Sequence, residues 1–533
     1  MTPKKAIAQL AKMVGHNLSR GKLSDNVMET GPMLAGAGAT ADVVDCLFAE
    51  ARRKRPSEQL ISGYAFILQS ALDSLRLNMN GGAPQAREEI EEVRQEVAKG
   101  LSRGGLPPAV LMLVAKAFVE AQLDPGRALQ EAMMDAMETE GNVDGSAMDP
   151  QAMSDELAKV AKALDDDPFA IHAEIASSGA AFPAEHRGSM AAAFAASDIP
   201  AIREAALGYA LDPDADVCAT VLSVLSGARG GQPVSSTSVD RLVRIRPWLP
   251  EARRPGLDAA IRALRPKATP PLPATRPEIR TVLASMCDGS GAQSLFSIVK
   301  RGRRLALASV LVKAGVGVAD AWVRDGMTKS EAEDIVKQIV ASASAVDVSI
   351  GLLERRVADA LVANLDRGVP PPFGLLQVTE ILGLGSLRPE AVSATTLVDE
   401  LLADVPTALT DAKAALASHR ASARWIDEIE TVSSWFEAGD AVDALLRPLK
   451  TRLQRIDAML TMYLPARRMF WAERCAWMAA MFKEATDHGT QNWIDFALVA
   501  RDFAGDQPLS MFPITKLIAE ASADVFASHS ARR

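Results

Sequence analysis

From Ser57 to Leu77, apolar residues return at every third or fourth position: Leu60, Ile61, Tyr64, Ile67, Leu68, Ala71, Leu72 and Leu75. That period lines one face of an α-helix and neither face of a strand. Pro56 and Ser57 stand before the run and Gly81-Gly82 after it, as helix start and stop signals do. The next segment repeats the arrangement, with Pro84 at its head, Glu88, Glu89, Glu91 and Glu92 in its early turns, and Gly100 at its end. Proline lacks the N–H that a first turn leaves unbonded, and the acids face the positive end of the helix dipole. Thr328-Lys329-Ser330-Glu331 has the spacing of a capping box and predicts a helix through Val340. No run alternates apolar with polar residues long enough to mark a strand. Aromatics make up only 5% of the chain, too few for a sandwich or barrel built on aromatic and β-branched strands. The expected fold class is all-α, a multi-domain helical bundle or α-solenoid.

At about 100–200 residues per domain, 533 residues predict roughly three to five bodies. Two breaks divide the chain: the polar, glycine-containing stretch 141–146 and a proline-rich segment that runs from Pro266 to Pro277. Such a proline run cannot be helical and is expected to be extended. The expected organisation is a helical domain over 1–140, a central helical block over 150–265, a linker over 266–277 and a C-terminal helical domain over 278–533. With 48% hydrophobic and 23% charged residues, wholesale disorder is excluded. Cys46, Cys218, Cys287 and Cys475 are isolated from one another, so neither a disulfide framework nor structural zinc is expected. The N-terminus carries no apolar core of a signal peptide. Apolar stretches such as 109–115 fall far short of the ~20 residues that span a bilayer. A soluble cytoplasmic protein is expected, and the alanine and arginine usage points to a GC-rich bacterial genome.

The central block holds the best internal repeat. Asp167-Pro168-Phe169-Ala170-Ile171 and Asp198-Ile199-Pro200-Ala201-Ile202 start units 31 residues apart, with Met190 and Phe194 answered by Val221 and Leu225. A stacked helix pair produces a period of this size, because one pair cannot bury its own apolar face. The second unit has a small-residue first helix over 203–207, an Asp212-Pro213 turn and an Asp-x-Val opening at Asp214–Val217. In these features it resembles a HEAT-type (armadillo-type) repeat, although its period is shorter. The resemblance implies stacked helix pairs and a binding scaffold.

The formal charge of −9 conceals an asymmetry. Residues 141–228 carry 4 basic and 14 acidic side chains, whereas residues 229–313 carry 16 and 5. The basic stretch contains the candidate anion or nucleic-acid contacts Arg241, Arg244, Arg253, Arg254, Arg303 and Arg304, since clustered cations supply the salt-dependent part of phosphate binding. The competing expectation is that this stretch packs against the acidic block before it. Catalytic patterns are wanting: no histidine pair, Walker-type loop or dinucleotide fingerprint is present. The richest chemistry lies near the C-terminus, where Trp471, Arg474, Glu484 and His488 form a candidate pocket. Glu484 and His488 share a helix face at i,i+4, and Trp471, Cys475, Met478 and Phe482 form an apolar stripe.

No catalytic residue, metal or cofactor is therefore expected. The favoured function is a non-enzymatic protein-interaction scaffold or adaptor built on stacked helices, with another protein as partner and no membrane role. The alternative is a nucleic-acid-associated helical-repeat protein using the basic stretch 241–304. A third reading is a helical enzyme with its site near Trp471, Glu484 and His488.

Overall fold

A computed structural model of the chain describes residues 3–530 apart from 21–29, 81–83, 122, 144–149, 180–181, 228–234, 269–276, 386 and 486–492. They form two compact units, Met1–Ala206 and Leu207–Arg533. Of the expected break at 141–146, residues 141–143 instead end the helix Arg127–Val143, while 144–146 and most of the expected linker at 266–277 lie outside the described residues. Before that linker, Arg265–Lys267 is a single 3₁₀ turn.

The described residues of the first unit are helical, with the helix Glu58–Asn80 at its centre. Tyr64, Ile67, Leu68, Ala71, Leu72 and Leu75 are buried and share a core with Val43, Leu47, Phe48, Val93 and Phe118. Each such aliphatic side chain contributes about 1.5–3 kcal/mol on full burial. Helix Pro3–Leu18 lies directly against this central helix, because glycine meets backbone on both sides. A Cβ on Gly63 would stand 2.0 Å from the Ala11 carbonyl oxygen, and one on Gly15 would stand 2.0 Å from that of Gln59. Helices Pro168–Gly179 and Pro200–Ala206 bury Ile171, Ile202 and Ala205 around Ala161.

The second unit corrects the all-α expectation. Residues 278–347 build a five-stranded antiparallel sheet of β1 (Glu278–Ala284), β2 (Ala292–Arg301), β3 (Arg304–Lys313), β4 (Gly317–Met327) and β5 (Val346–Asp347), in the order β4-β3-β2-β1-β5. The middle of β3 is covered on both faces, so it carries no alternation to read. In β3, Ala306, Leu307, Ala308, Ser309 and Val310 are buried in succession. The helix Lys329–Ala343 packs on one face over Phe296, Ile298, Leu305 and Leu307. Helices Ile350–Asp366 and Gly374–Ile381 pack against β4. The chain is therefore mainly helical with one inserted sheet.

C-terminal to the sheet, the helix Arg468–Glu484 is buried around most of its circumference, including Trp471, Cys475, Trp477, Met478 and Phe482. It packs on Trp493–Ala504, where Phe496 stacks on Trp425 at 3.8 Å between ring centroids. All four cysteines are free thiols. Among the described residues no helix is long and apolar enough to cross a membrane.

Candidate functional site

β2 and β3 are joined by the two-residue turn Gly302-Arg303. Gly302 has φ +59° and Arg303 does not share the positive φ, as in a turn whose twist matches a hairpin. Nothing lies within 4 Å of a Cβ placed on Gly302, so backbone conformation alone asks for glycine there. The turn holds Arg303 and Arg304 in solvent at the end of the sheet. Among the described residues, neither is held by an ion pair or hydrogen bond.

Beneath this turn opens a groove of about 890 Å³ between the sheet and the helix Lys329–Ala343. Its floor is aliphatic: Ile298 and Leu305 from the strands, Ala332 and Val336 from the helix. Its rim carries Arg280, Lys300, Arg303 and Arg304 on the sheet side and Lys329 and Lys337 on the helix side, with Glu333 as the one lining carboxylate. Neutralisation is partial. Glu278 is shared, receiving Lys300 at 2.8 Å and Arg280 at 2.6 Å, and the Lys300 hydrogen bond holds its carboxyl below the usual range. Lys329 lies 3.5 Å from Glu333 and Lys337 lies 3.4 Å from Asp334, all four strongly exposed. Such exposed pairs are weak and exchangeable. Glu331, near Arg304, is already committed to the capping box with Thr328.

The other candidate arginines are built into the fold. Arg241 is buried and makes a bidentate pair with Glu380, its Nε at 2.8 Å and Nη2 at 2.9 Å. Arg244 donates to the Leu384 carbonyl at 3.2 Å. Arg253 donates to the Asp212 carbonyl at 2.7 Å and also to that of Pro213. Arg254 donates to the Leu249 carbonyl at 3.0 Å. Of the six sequence candidates, only Arg303 and Arg304 reach the groove. Arg280 and Lys300 belong to the basic stretch 241–304 and Lys329 and Lys337 lie beyond it; only the sheet gathers all four at the groove. The available signal was the Gly302 turn between two apolar runs, Leu295–Val299 and Leu305–Val312.

The C-terminal candidates are dispersed. Trp471 is core, its Nε1 donating to Glu437 at 2.9 Å beside Arg467 at 2.9 Å. Glu484 accepts the Ser349 backbone N–H at 2.7 Å, at the start of the helix Ile350–Asp366. His488 lies outside the described residues. Arg474 lines a second, smaller cavity of about 190 Å³ with Arg356, Asp359, Glu473 and Trp477. Its guanidinium donates to the carbonyls of Asp288 (3.1 Å), Phe470 (3.1 Å) and Gly289 (2.9 Å) and lies over the Phe470 and Trp471 rings. Burial lowers its pKa to about 10, so it remains charged at neutral pH. Desolvation raises the Asp359 carboxyl, and desolvation followed by the Asp359 charge raises that of Glu473. Arg356 donates to Asp359 at 2.9 Å and to Gln293 at 3.0 Å, so the polar groups of this cavity largely satisfy one another. Among the described residues, no group of three or more His, Cys, Asp or Glu is placed to hold a metal ion.

Two stretches of the chain match family models: residues 183–268 that of the Y4lR second domain, and residues 395–527 that of the Y4lR C-terminal helical domain. The chain is 29% identical over 252 residues to the "Uncharacterized protein y4lR" of Sinorhizobium fredii (strain NBRC 101917 / NGR234), an alignment covering 46% of this chain and 47% of that protein. The chain thus spans about half the length of the curated relative it matches. No solved structure matches. The two family matches flank the sheet, and every residue lining the groove lies between them.

Proposed function

We propose that this chain is a non-enzymatic binding protein, a cytoplasmic scaffold or adaptor of bacterial origin that engages an anionic partner through the groove between its sheet and the helix Lys329–Ala343. The observation that carries the reading is the unpaired Arg303-Arg304 turn over an aliphatic floor ringed by four further cations. Free thiols throughout suit a reducing compartment. The HEAT-like reading of 167–228 belongs to the same proposal. It is supported by helices that start at Ala184 and Ala215, the interval of the sequence repeat. The test is retention of the full chain on immobilised heparin at low salt. Wild-type protein is expected to bind and the double reversal R303E/R304E to flow through with an unchanged melting temperature. Reversal of Arg253 and Arg254, which hold backbone carbonyls, is expected to lower the melting temperature. Failure of the wild type to bind any polyanion overturns the proposal.

A further inference from the structure

We infer that the groove's ligand is an acidic amphipathic segment of a partner protein, an apolar stripe flanked by Asp or Glu. This rests on the anion-binding reading above and goes on to name the ligand's second property. The cations are not confined to one wall, as they would be for a single headgroup or phosphate held on the sheet alone. They stand on both walls, Arg280, Lys300, Arg303 and Arg304 opposite Lys329 and Lys337, with Ile298, Leu305, Ala332 and Val336 between them. On the helix wall the lining positions are 329, 332, 333, 336 and 337, spaced along one face for two turns, or about 12 Å at ~1.5 Å per residue. A ligand matching this has length, an apolar ridge to cover the floor, and negative charge on either side of that ridge. An amphipathic peptide laid into a groove presents these three together. A single-stranded nucleic acid would bring the charge but draws on ring faces where its bases stack, and no aromatic side chain lines this groove; a duplex offers phosphates but no apolar ridge to cover the floor. The floor also distinguishes this site from a plain basic patch. A purely electrostatic surface has no use for an apolar floor in which Leu305 and Val336 stay half-buried over the buried Ile298 and Ala332, whereas covering the exposed part of Leu305 and Val336 adds affinity that salt does not screen.

Opposite-charge contacts along the walls would set orientation and association rate, and the floor would set residence time. Glu333, the one acid among the lining residues, opposes such a ligand, so its charge reversal is expected to strengthen binding.

The experiment uses the full chain and a fluorescently labelled, helix-forming peptide with leucines on one face flanked by glutamates. Its controls are a scrambled peptide of the same composition, an oligothymidylate and phosphatidylglycerol vesicles, all read by anisotropy or co-sedimentation at two salt concentrations. The patterned peptide is expected to bind at least about tenfold more tightly than the scrambled one and to keep most of that margin at the higher salt. R303E/R304E is expected to lose about tenfold or more, and E333K to gain severalfold. Equal binding of the patterned and scrambled peptides overturns the inference while leaving the anion reading in place. So does tighter binding of the oligothymidylate or the vesicles, with displacement of the peptide. If neither peptide nor heparin binds, both readings fall together. The scrambled peptide makes the test independent of any substitution in the floor, where a variant could fail to fold.

Discussion

Arg474 ties the helix Arg468–Glu484 to the β1–β2 loop by giving its guanidinium to the carbonyls of Asp288 and Gly289. An ammonium reaches fewer of these acceptors and stacks poorly on Phe470 and Trp471. Arg474→Lys is therefore expected to destabilise by about 2 kcal/mol, read as a lower urea midpoint at unchanged slope. Thr328 and Glu331 cap the helix that forms one wall of the groove, and Thr328→Ala is expected to cost about 1 kcal/mol. Bonds from the Thr328 N–H and hydroxyl hold the Glu331 carboxyl below the usual 4.5. Its contribution is thus fully present above that value and lost as pH falls through the depressed one. The stability gap between wild type and Thr328→Ala should accordingly narrow in acid, and a gap that stays constant down to pH 3, roughly below the ordinary carboxylate range, would contradict this account. The capping box was legible because its four residues are contiguous. The role of Arg474 was not, because its acceptors lie 186 and 185 residues away. Helical spacing sets Arg474 three residues from Trp471, within reach of the ring it covers, but nothing local points to the two carbonyls.

At the level of elements, the helices were legible and the sheet was not, for one physical reason. A surface helix is apolar on one stripe, so its period survives in the sequence, as at Tyr64, Ile67, Leu68, Ala71 and Leu72. The middle of β3 is buried on both faces, and Leu305-Ala306-Leu307-Ala308 reads as well for a helix as for a strand. What distinguishes them is the turn. Gly302→Val puts a β-branched residue at φ +59° and is expected to cost about 1–2 kcal/mol, while re-aiming Arg303. It should weaken heparin binding more than its loss of stability explains, which the ratio of column retention to melting temperature would show. The site was legible only in its charges: Arg303 and Arg304 were visible as basic residues, but the floor beneath them exists only once β2, β3 and the helix Lys329–Ala343 come together.

Across the whole molecule, the net charge of −9 is a poor guide to what the protein binds, because cations from 280 to 337 are gathered at one groove. Every groove residue belongs to the unit Leu207–Arg533. Residues 207–533 expressed alone are expected to bind heparin within about threefold of the full chain, and a much weaker fragment would show that residues 1–206 contribute to the site. The sheet also has an outer border. Among the described residues, β5 pairs with β1 at Leu283 and Ala284, while the register of β1 slips between Ile279 and Thr281, with Arg280 inside that slip and Glu278 just before it. An uncovered strand is a template on which a second copy can grow, and a bulge with charges is what blocks such growth. The same irregular end of β1 that supplies Arg280 to the groove is thus a poor template for a second copy. A variant that straightened and neutralised it would trade a solution of discrete molecules for fibres.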